Sequence, residues 1–292
     1  SQIYRIHNPN NGKPQILKVL NTLHPGEERL GKFKREFRIL QNLHLDGVVG
    51  CGDFYQKDNV YFFSMEDFGG VSLDRIISTR KLQWDEFYKI AIRISRILGS
   101  SHEKNIIHKD INPSNLVWNE KTDVLKLIDF GISSEIPVEK PENVSVNMLE
   151  GTLCYISPEQ TARINKPMDY RSDYYSLGVT LYELLTGIVP FCSSEKFEII
   201  HNHIAKMPVS PSDIHPEIPE VLSGIVMKLL SKMAEDRYQS SAGLTADLEQ
   251  CYHDTVHSGK VKNFTIGKSD YSGKFQIPNR LYGREDDIAG LL

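Results

Sequence analysis

Hydrophobic rhythm changes character at Gly69-Gly70, and that change constrains the fold more than any other feature of the 292 residues. Before the pair, apolar residues fall in extended runs around a single helical stretch. After it they recur every three or four residues over long amphipathic segments. The chain therefore reads as a small β-rich part to about Phe68, a larger α-rich part to about Tyr252, and a tail. Strands and helices are segregated, as in the α+β class.

In the first part, SQIYRIHNP and KPQILKVLN flank Asn10-Asn11-Gly12, and an Asn-Gly pair between extended runs predicts a hairpin. Ile16, Lys18 and Leu20 share one face of the second strand. Leu30, Phe33, Phe37 and Leu40 recur at helical spacing, and Glu36 falls on the border of their face, from which a carboxylate can look inward. VYFFSMEDF reads as a further strand. In the second part, WDEFYKIAIRISRILGSSHEK carries Phe87, Ile90, Ala91, Ile94, Ile97 and Leu98 on one side of a helix. Short strands at 116–118 and 125–128 bracket a polar turn. Residues 133–150 are rich in Ser and Glu and read as structureless, a length that marks a functional or disordered loop. Helices follow over DYYSLGVTLYELLTG, stopped by Gly187, and near 195–206, 219–233 and 240–252.

A net charge of -4 leaves no basic footprint for nucleic acid or an anionic membrane. Cys51, Cys154, Cys192 and Cys251 lie too far apart in sequence for a zinc motif or a disulfide framework, which fits a reducing compartment. No apolar stretch approaches the roughly 20 residues of a bilayer span. The first residues lack the pattern of a signal peptide, so a cytoplasmic location is expected.

Chemistry concentrates in IIHKDINPSNLVWNEKTDVLKLIDFGIS. Asp110 and Asn115 follow a helix and precede a strand, and Asp129-Phe130-Gly131 end the next strand. Carboxylates and an amide on loops at strand ends suit metal-bound phosphates, because Mg²⁺ takes hard oxygen ligands and leaves room for substrate oxygens. Taken alone, Asp-x-x-x-x-Asn would be read as a pair of Asx turns.

With its neighbours, the segment resembles the eukaryotic-type protein kinases, and the resemblance runs over residues 1–252. It implies a bilobal fold, with an N-lobe at 1–68 and a C-lobe at 69–252, and an ATP- and Mg²⁺-dependent transfer of phosphoryl groups to protein hydroxyls. His108-Lys109-Asp110 is similar to the catalytic H-R-D, Asn115 to the metal-binding Asn and Asp129-Phe130-Gly131 to D-F-G. Lys18 resembles the strand lysine that holds the α and β phosphates, and Glu36 the helix glutamate paired with it. Singly, each would be read as a solvated surface residue. Ser157-Pro158-Glu159 resembles A-P-E, which implies a Glu159–Arg237 pair and an Asp173 that braces the catalytic loop. Around the adenine the resemblance implies Met65 as gatekeeper, Glu66 and Phe68 as backbone contacts, and Val117 on the pocket floor. Thr152 is similar to the threonine beside the catalytic Asp in serine/threonine kinases.

Departures from the family pattern are specific. Ser1-Gln2-Ile3 resemble the far end of the glycine-rich loop, with Ile3 where valine is usual, so the first strand and full loop are expected to be missing. Ile16 replaces a small alanine. Asn112 stands where a lysine usually steadies the transferring phosphate, and an amide supplies hydrogen bonds without the full charge. Lys109 replaces arginine and loses its bidentate fork. These features keep a second reading open, a nucleotide-binding pseudokinase that regulates other modules.

The run GTLCYISPEQTARINKPMDYRSDYYSLGVTLYELLTGIVPF is similar to the kinase domains of bacterial hybrid sensor proteins. There a serine/threonine kinase-like domain precedes an AAA/STAND NTPase, GAF and histidine-kinase modules. After Tyr252 the periodicity fades into Gly, Ser and Lys, so 253–275 is expected to be a linker, and by resemblance 276–292, with Tyr282-Gly283-Arg284-Glu285, is expected to be the start of the NTPase.

Overall fold

The computed structural model describes residues 1–8, 12–20, 26–135, 138–139, 153–161, 163–164 and 166–271. Two lobes meet at a cleft. The first holds a four-stranded antiparallel sheet of β1 (Gln2–His7), β2 (Pro14–Val19), β3 (Cys51–Lys57) and β4 (Val60–Glu66), ordered β1-β2-β4-β3. Helix α1 (Glu27–Asn42) packs on it through Phe33, Ile39 and Leu40. The Phe33 and Phe37 rings meet Phe63 with centroids 5.0 and 5.6 Å apart. In the sheet Lys18 lies opposite Phe63 and Ile16 opposite Met65. Because strand side chains alternate between faces, all four point toward α1 and the cleft. Glu36, on the buried face of α1, is drawn in with them.

Strand β3 was not evident from the sequence, since only Cys51 and Phe54 on it are even half-buried and a register shift separates them. Its hairpin to β4 turns at Asp58 and Asn59, both at positive φ, as a two-residue turn matched to strand twist requires. Residues 9–11 of the expected first hairpin turn lie outside the described residues, while β1 and β2 pair antiparallel as expected.

The second lobe begins with β5 (Val71–Ser72), α2 (Leu73–Ile77) and α3 (Trp84–Glu103). Strands β6 (Leu116–Asn119) and β7 (Val124–Leu127) extend β5 into a small sheet. Strand β8 (Val138–Glu139) pairs with β9 (Met168–Asp169), so part of the stretch expected to lack structure is in a sheet. Helix α4 (Arg171–Thr186) is buried on nearly every side and forms the axis of the lobe. Around it stand α5 (Lys196–Ala205), α6 (Pro211–Ile214), α7 (Glu220–Leu229) and α8 (Ser241–Ser258). Helices α3 and α8 approach so closely that a Cβ on Gly99 would lie 2.1 Å from Ser241 Oγ.

The lobes are joined at the back by backbone hydrogen bonds. Leu127 N donates to Gly47 O at 2.8 Å and Val49 N to Leu127 O at 3.1 Å.

Beyond Tyr252 the structure corrects the expected linker. Helix α8 runs on to Ser258 and is closed by Gly259 at φ +67°. The chain then packs Val261, Phe264 and Ile266 against the core, through at least Asp270. The cause is local: Asp247 and Asp254, one face of α8, are buried acceptors that take the Gly267 and Lys262 backbone N–H groups at 2.7 and 3.0 Å. Residues 272–292, which contain the expected NTPase start, lie outside the described residues.

Candidate active site

Lys18 Nζ donates to Glu36 Oε1 at 2.5 Å and to Asp129 Oδ1 at 2.9 Å. One ammonium thus serves two carboxylates, and the more buried one, Glu36, is the one whose charged form is disfavoured. Burial pushes the Glu36 carboxyl up to about 7 against the attraction of Lys18. Burial works against the Lys18 ammonium, but Glu36 and then Asp129 outweigh it and raise its pKa. Asp129 resists burial through Lys18 and is lowered; its side chain keeps 44% exposure toward the cleft. Asp129 adopts φ +62°, a conformation Asp tolerates better than most residues, and its Oδ1 takes the Gly131 N–H at 3.2 Å.

The loop before β6 is held from below by Asp173 of α4. Its buried carboxylate accepts the His108 N–H at 2.9 Å, the Lys109 N–H at 2.7 Å and His102 Nε2–H at 2.8 Å. Burial would raise the Asp173 pKa, but these donors hold it below the usual carboxylate range. The bonds offset strain, because Lys109 sits at φ +69°, which a residue with a long side chain rarely adopts. His108 packs edge-on to Phe130 at 4.6 Å and donates from Nε2 to Ile128 O at 3.1 Å.

Above this brace, Asp110 Oδ1 accepts from Asn112 Nδ2 at 2.8 Å and Oδ2 from Asn115 Nδ2 at 2.9 Å. Asn112 Oδ1 caps the short turn Pro113–Asn115 by taking the Ser114 N–H at 3.0 Å and the Asn115 N–H at 3.3 Å. Asn112 is therefore buried in the loop and points its amide at Asp110. Asn115 O in turn holds Ile128 N at 2.9 Å, one residue before Asp129. Among the described residues, neither Asn115 Oδ1 nor Asp129 Oδ2 is used by a protein hydrogen bond.

A cleft of about 510 Å³ opens between the lobes. Ile3, Ile16, Met65, Glu66, Phe68 and Val117 all line it. Val49, Asp67, Gly70 and Ile128 line it too and were not singled out from the sequence. Gly70 is required there: a Cβ would lie 2.6 Å from Val117 Cγ1 and 2.7 Å from the Phe68 ring. The Glu66 carboxylate turns away from the cleft to Lys126 and to the Gly50 N–H. Arg5 on β1 pairs with Asp67 at 2.6 Å across the mouth. Thr152 lies outside the described residues.

Further down, Glu159 and Arg237 form a bidentate pair at 2.6 and 2.9 Å, with Arg237 fully buried. Ser172 Oγ donates to Glu159 at 2.8 Å. The remaining guanidinium N–H groups reach Ser231 O, Arg171 O and Lys232 O, so all five donors are used.

The family model described as the protein kinase domain matches residues 1–252. A probable serine/threonine-protein kinase of Clostridium perfringens is 33% identical over 229 residues, which is 78% of this chain and 33% of that protein. Serine/threonine-protein kinase PknB of Mycobacterium leprae is 32% identical over 234 residues, 78% of this chain and 36% of that protein. Hybrid signal transduction histidine kinase G of Dictyostelium discoideum is 30% identical over an alignment that covers 70% of this chain and 8% of that protein. The chain spans about a third of the length of the two bacterial relatives.

Proposed function

The chain belongs to the protein kinase domain family, and from that membership we propose that it transfers the γ-phosphoryl group of ATP to serine or threonine hydroxyls of proteins. The observation that carries this reading is the ion cluster of Lys18, Glu36 and Asp129, tied to the Asp110–Asn115 loop by the bond from Ile128 N to Asn115 O one residue before Asp129. A domain that only scaffolds has no need for an ammonium buried between two carboxylates, since such pairs give little net stability. The pseudokinase alternative is not favoured.

In this reading Ile3, Ile16, Met65 and Val117 enclose the adenine, with the Glu66 and Phe68 backbone as its polar contacts. Lys18, positioned by Glu36, meets the α and β phosphates. Asn115 Oδ1 and Asp129 Oδ2 are hard oxygens free to hold Mg²⁺. Once bound, the ion would neutralise phosphate charge. Asp110 orients the acceptor hydroxyl and takes its proton as the hydroxyl oxygen bonds to phosphorus and ADP leaves. Asn112 positions Asp110 through its amide, and Thr152 is assigned by resemblance alone. Four free cysteines fit a cytoplasmic setting; among the described residues no helix is long and apolar enough to cross a membrane. Likeness to a hybrid signal transduction histidine kinase supports a role in signal transduction beside a histidine-kinase module, and the NTPase and GAF modules are assigned by the sequence resemblance alone.

The test is transfer of label from γ-labelled Mg-ATP to a generic serine/threonine protein and to the protein itself. Label is expected on serine or threonine and absent with Asp110→Asn. Equal labelling by both proteins would refute the assignment of Asp110.

A further inference from the structure

The segment after α8 makes contacts that the transfer reaction as described does not use. From Gly259 it doubles back along α8 to that helix's N-terminus. Lys262 N bonds Asp254, Gly267 N bonds Asp247, and Ile266 fills the space above Gly224, where a Cβ would lie 2.7 Å from Ile266 Cδ1. At the end of the run Asp270 accepts three hydrogen bonds. Gln239 N reaches Oδ2 at 2.8 Å, and Ser240 N and Oγ reach Oδ1 at 2.8 and 2.9 Å. Gly243 makes room, since a Cβ there would lie 2.6 Å from Asp270 Cα.

Gln239 is a junction. Its carbonyl accepts from Tyr170 Oη at 2.8 Å, its Oε1 from Arg171 Nη1 at 2.8 Å, and its Nε2 donates to Arg237 O at 2.7 Å. Tyr170 packs against His102 at 5.4 Å, and His102 bonds the Asp173 carboxylate that holds the His108 and Lys109 amides. Arg237 is the partner of Glu159. Gln239 is thus linked through Tyr170 and His102 to the brace under the catalytic loop, and through the Arg237 carbonyl to the Glu159–Arg237 anchor.

We propose that residues 259–271 are a strap, and that Asp270 is a positioning residue that sets the catalytic loop through Gln239. The proposal rests on the kinase reading for its activity measurement but not for its structural one. A carboxylate is suited to this place because two oxygens meet three donors; an asparagine would turn an NH₂ against a backbone N–H.

The experiment compares Asp270→Ala with Ile266→Ala, which loosens the same strap far from Gln239. Both are expected to lower the melting temperature. Asp270→Ala alone should lower kcat, by roughly tenfold, because small misplacements of reacting groups are costly, with KM for ATP unchanged. Amide hydrogen exchange at His108 and Lys109 should quicken in Asp270→Ala and stay at the wild-type rate in Ile266→Ala. The proposal is overturned if kcat and exchange are unchanged in Asp270→Ala, or if Ile266→Ala shifts them equally. If the wild-type protein transfers no phosphoryl group, the kinase reading fails, and the exchange comparison still decides the role of the strap.

Discussion

Breaking the Glu159–Arg237 pair from one side should be far more damaging than removing both partners. In Glu159→Ala the guanidinium keeps its bonds to Ser231, Arg171 and Lys232 but loses the carboxylate that took two of its five donors. The cation then stands in a site with no exposure, without a counter-charge. Removing one partner of a buried pair costs about 3–5 kcal/mol, most of it the penalty of the stranded charge. For a domain of this size, about 4 kcal/mol corresponds to a melting temperature lower by roughly 8–16 °C. Arg237→Ala should cost a similar amount, leaving the Glu159 carboxylate buried without its cation. The double variant removes the stranded charge in each case and should fall short of the sum of the singles by about 2 kcal/mol or more. Urea unfolding of the four proteins, analysed as a double-mutant cycle, measures that difference. Additive losses, or a Glu159→Ala cost under about 1 kcal/mol, would refute the view that charge burial governs this site.

Three further outcomes are expected. Asp129→Ala should abolish Mg-dependent nucleotide binding in calorimetry while Asp110→Asn preserves it; equal loss in both would contradict the division of roles. Glu36, raised from 4.5 to about 7, binds a proton more readily folded than unfolded, so its contribution is full below about pH 4.5 and is lost as pH rises through 7. Glu36→Gln should therefore flatten the stability profile between pH 5 and 8 by up to about 3 kcal/mol, and unchanged curvature would remove Glu36 as its source. Asn112→Lys should destabilise the protein by about 1–2 kcal/mol in urea, because the turn cap and the bond to Asp110 are lost together; a neutral result would mean the lysine rebuilds the cap.

Positions legible in the sequence were those where spacing and chemistry coincide. Lys18 and Glu36 carry no local signal, yet strand and helix periods put both on inward faces, and the ordered motifs around Asp110 and Asp129 supplied the rest. Strand β3 was hidden because it lacks alternation, being mostly exposed. His102 gave no sign of its tie to Asp173, as a partner 71 residues away leaves no pattern in a helix. Nothing in the sequence marks Asp247 and Asp254 of α8 for burial. They are buried because backbone N–H groups of the strap satisfy them, and no sequence period encodes that return.

The backbone bonds joining Gly47 and Val49 to Leu127 also determine how the two lobes can move. Together with the Glu66–Lys126 pair they form a fixed line at the rear of the cleft. Across the front, one link is the Lys18–Asp129 ion pair, with Asp129 partly in water. A body pinned along one edge rotates about that edge, and contacts at the other, Lys18–Asp129 among them, limit its opening. Anything that competes for Lys18 or Asp129 therefore acts with leverage on the whole upper lobe. The rate of opening, and with it product escape, should respond more to that ion pair than to any contact at the rear.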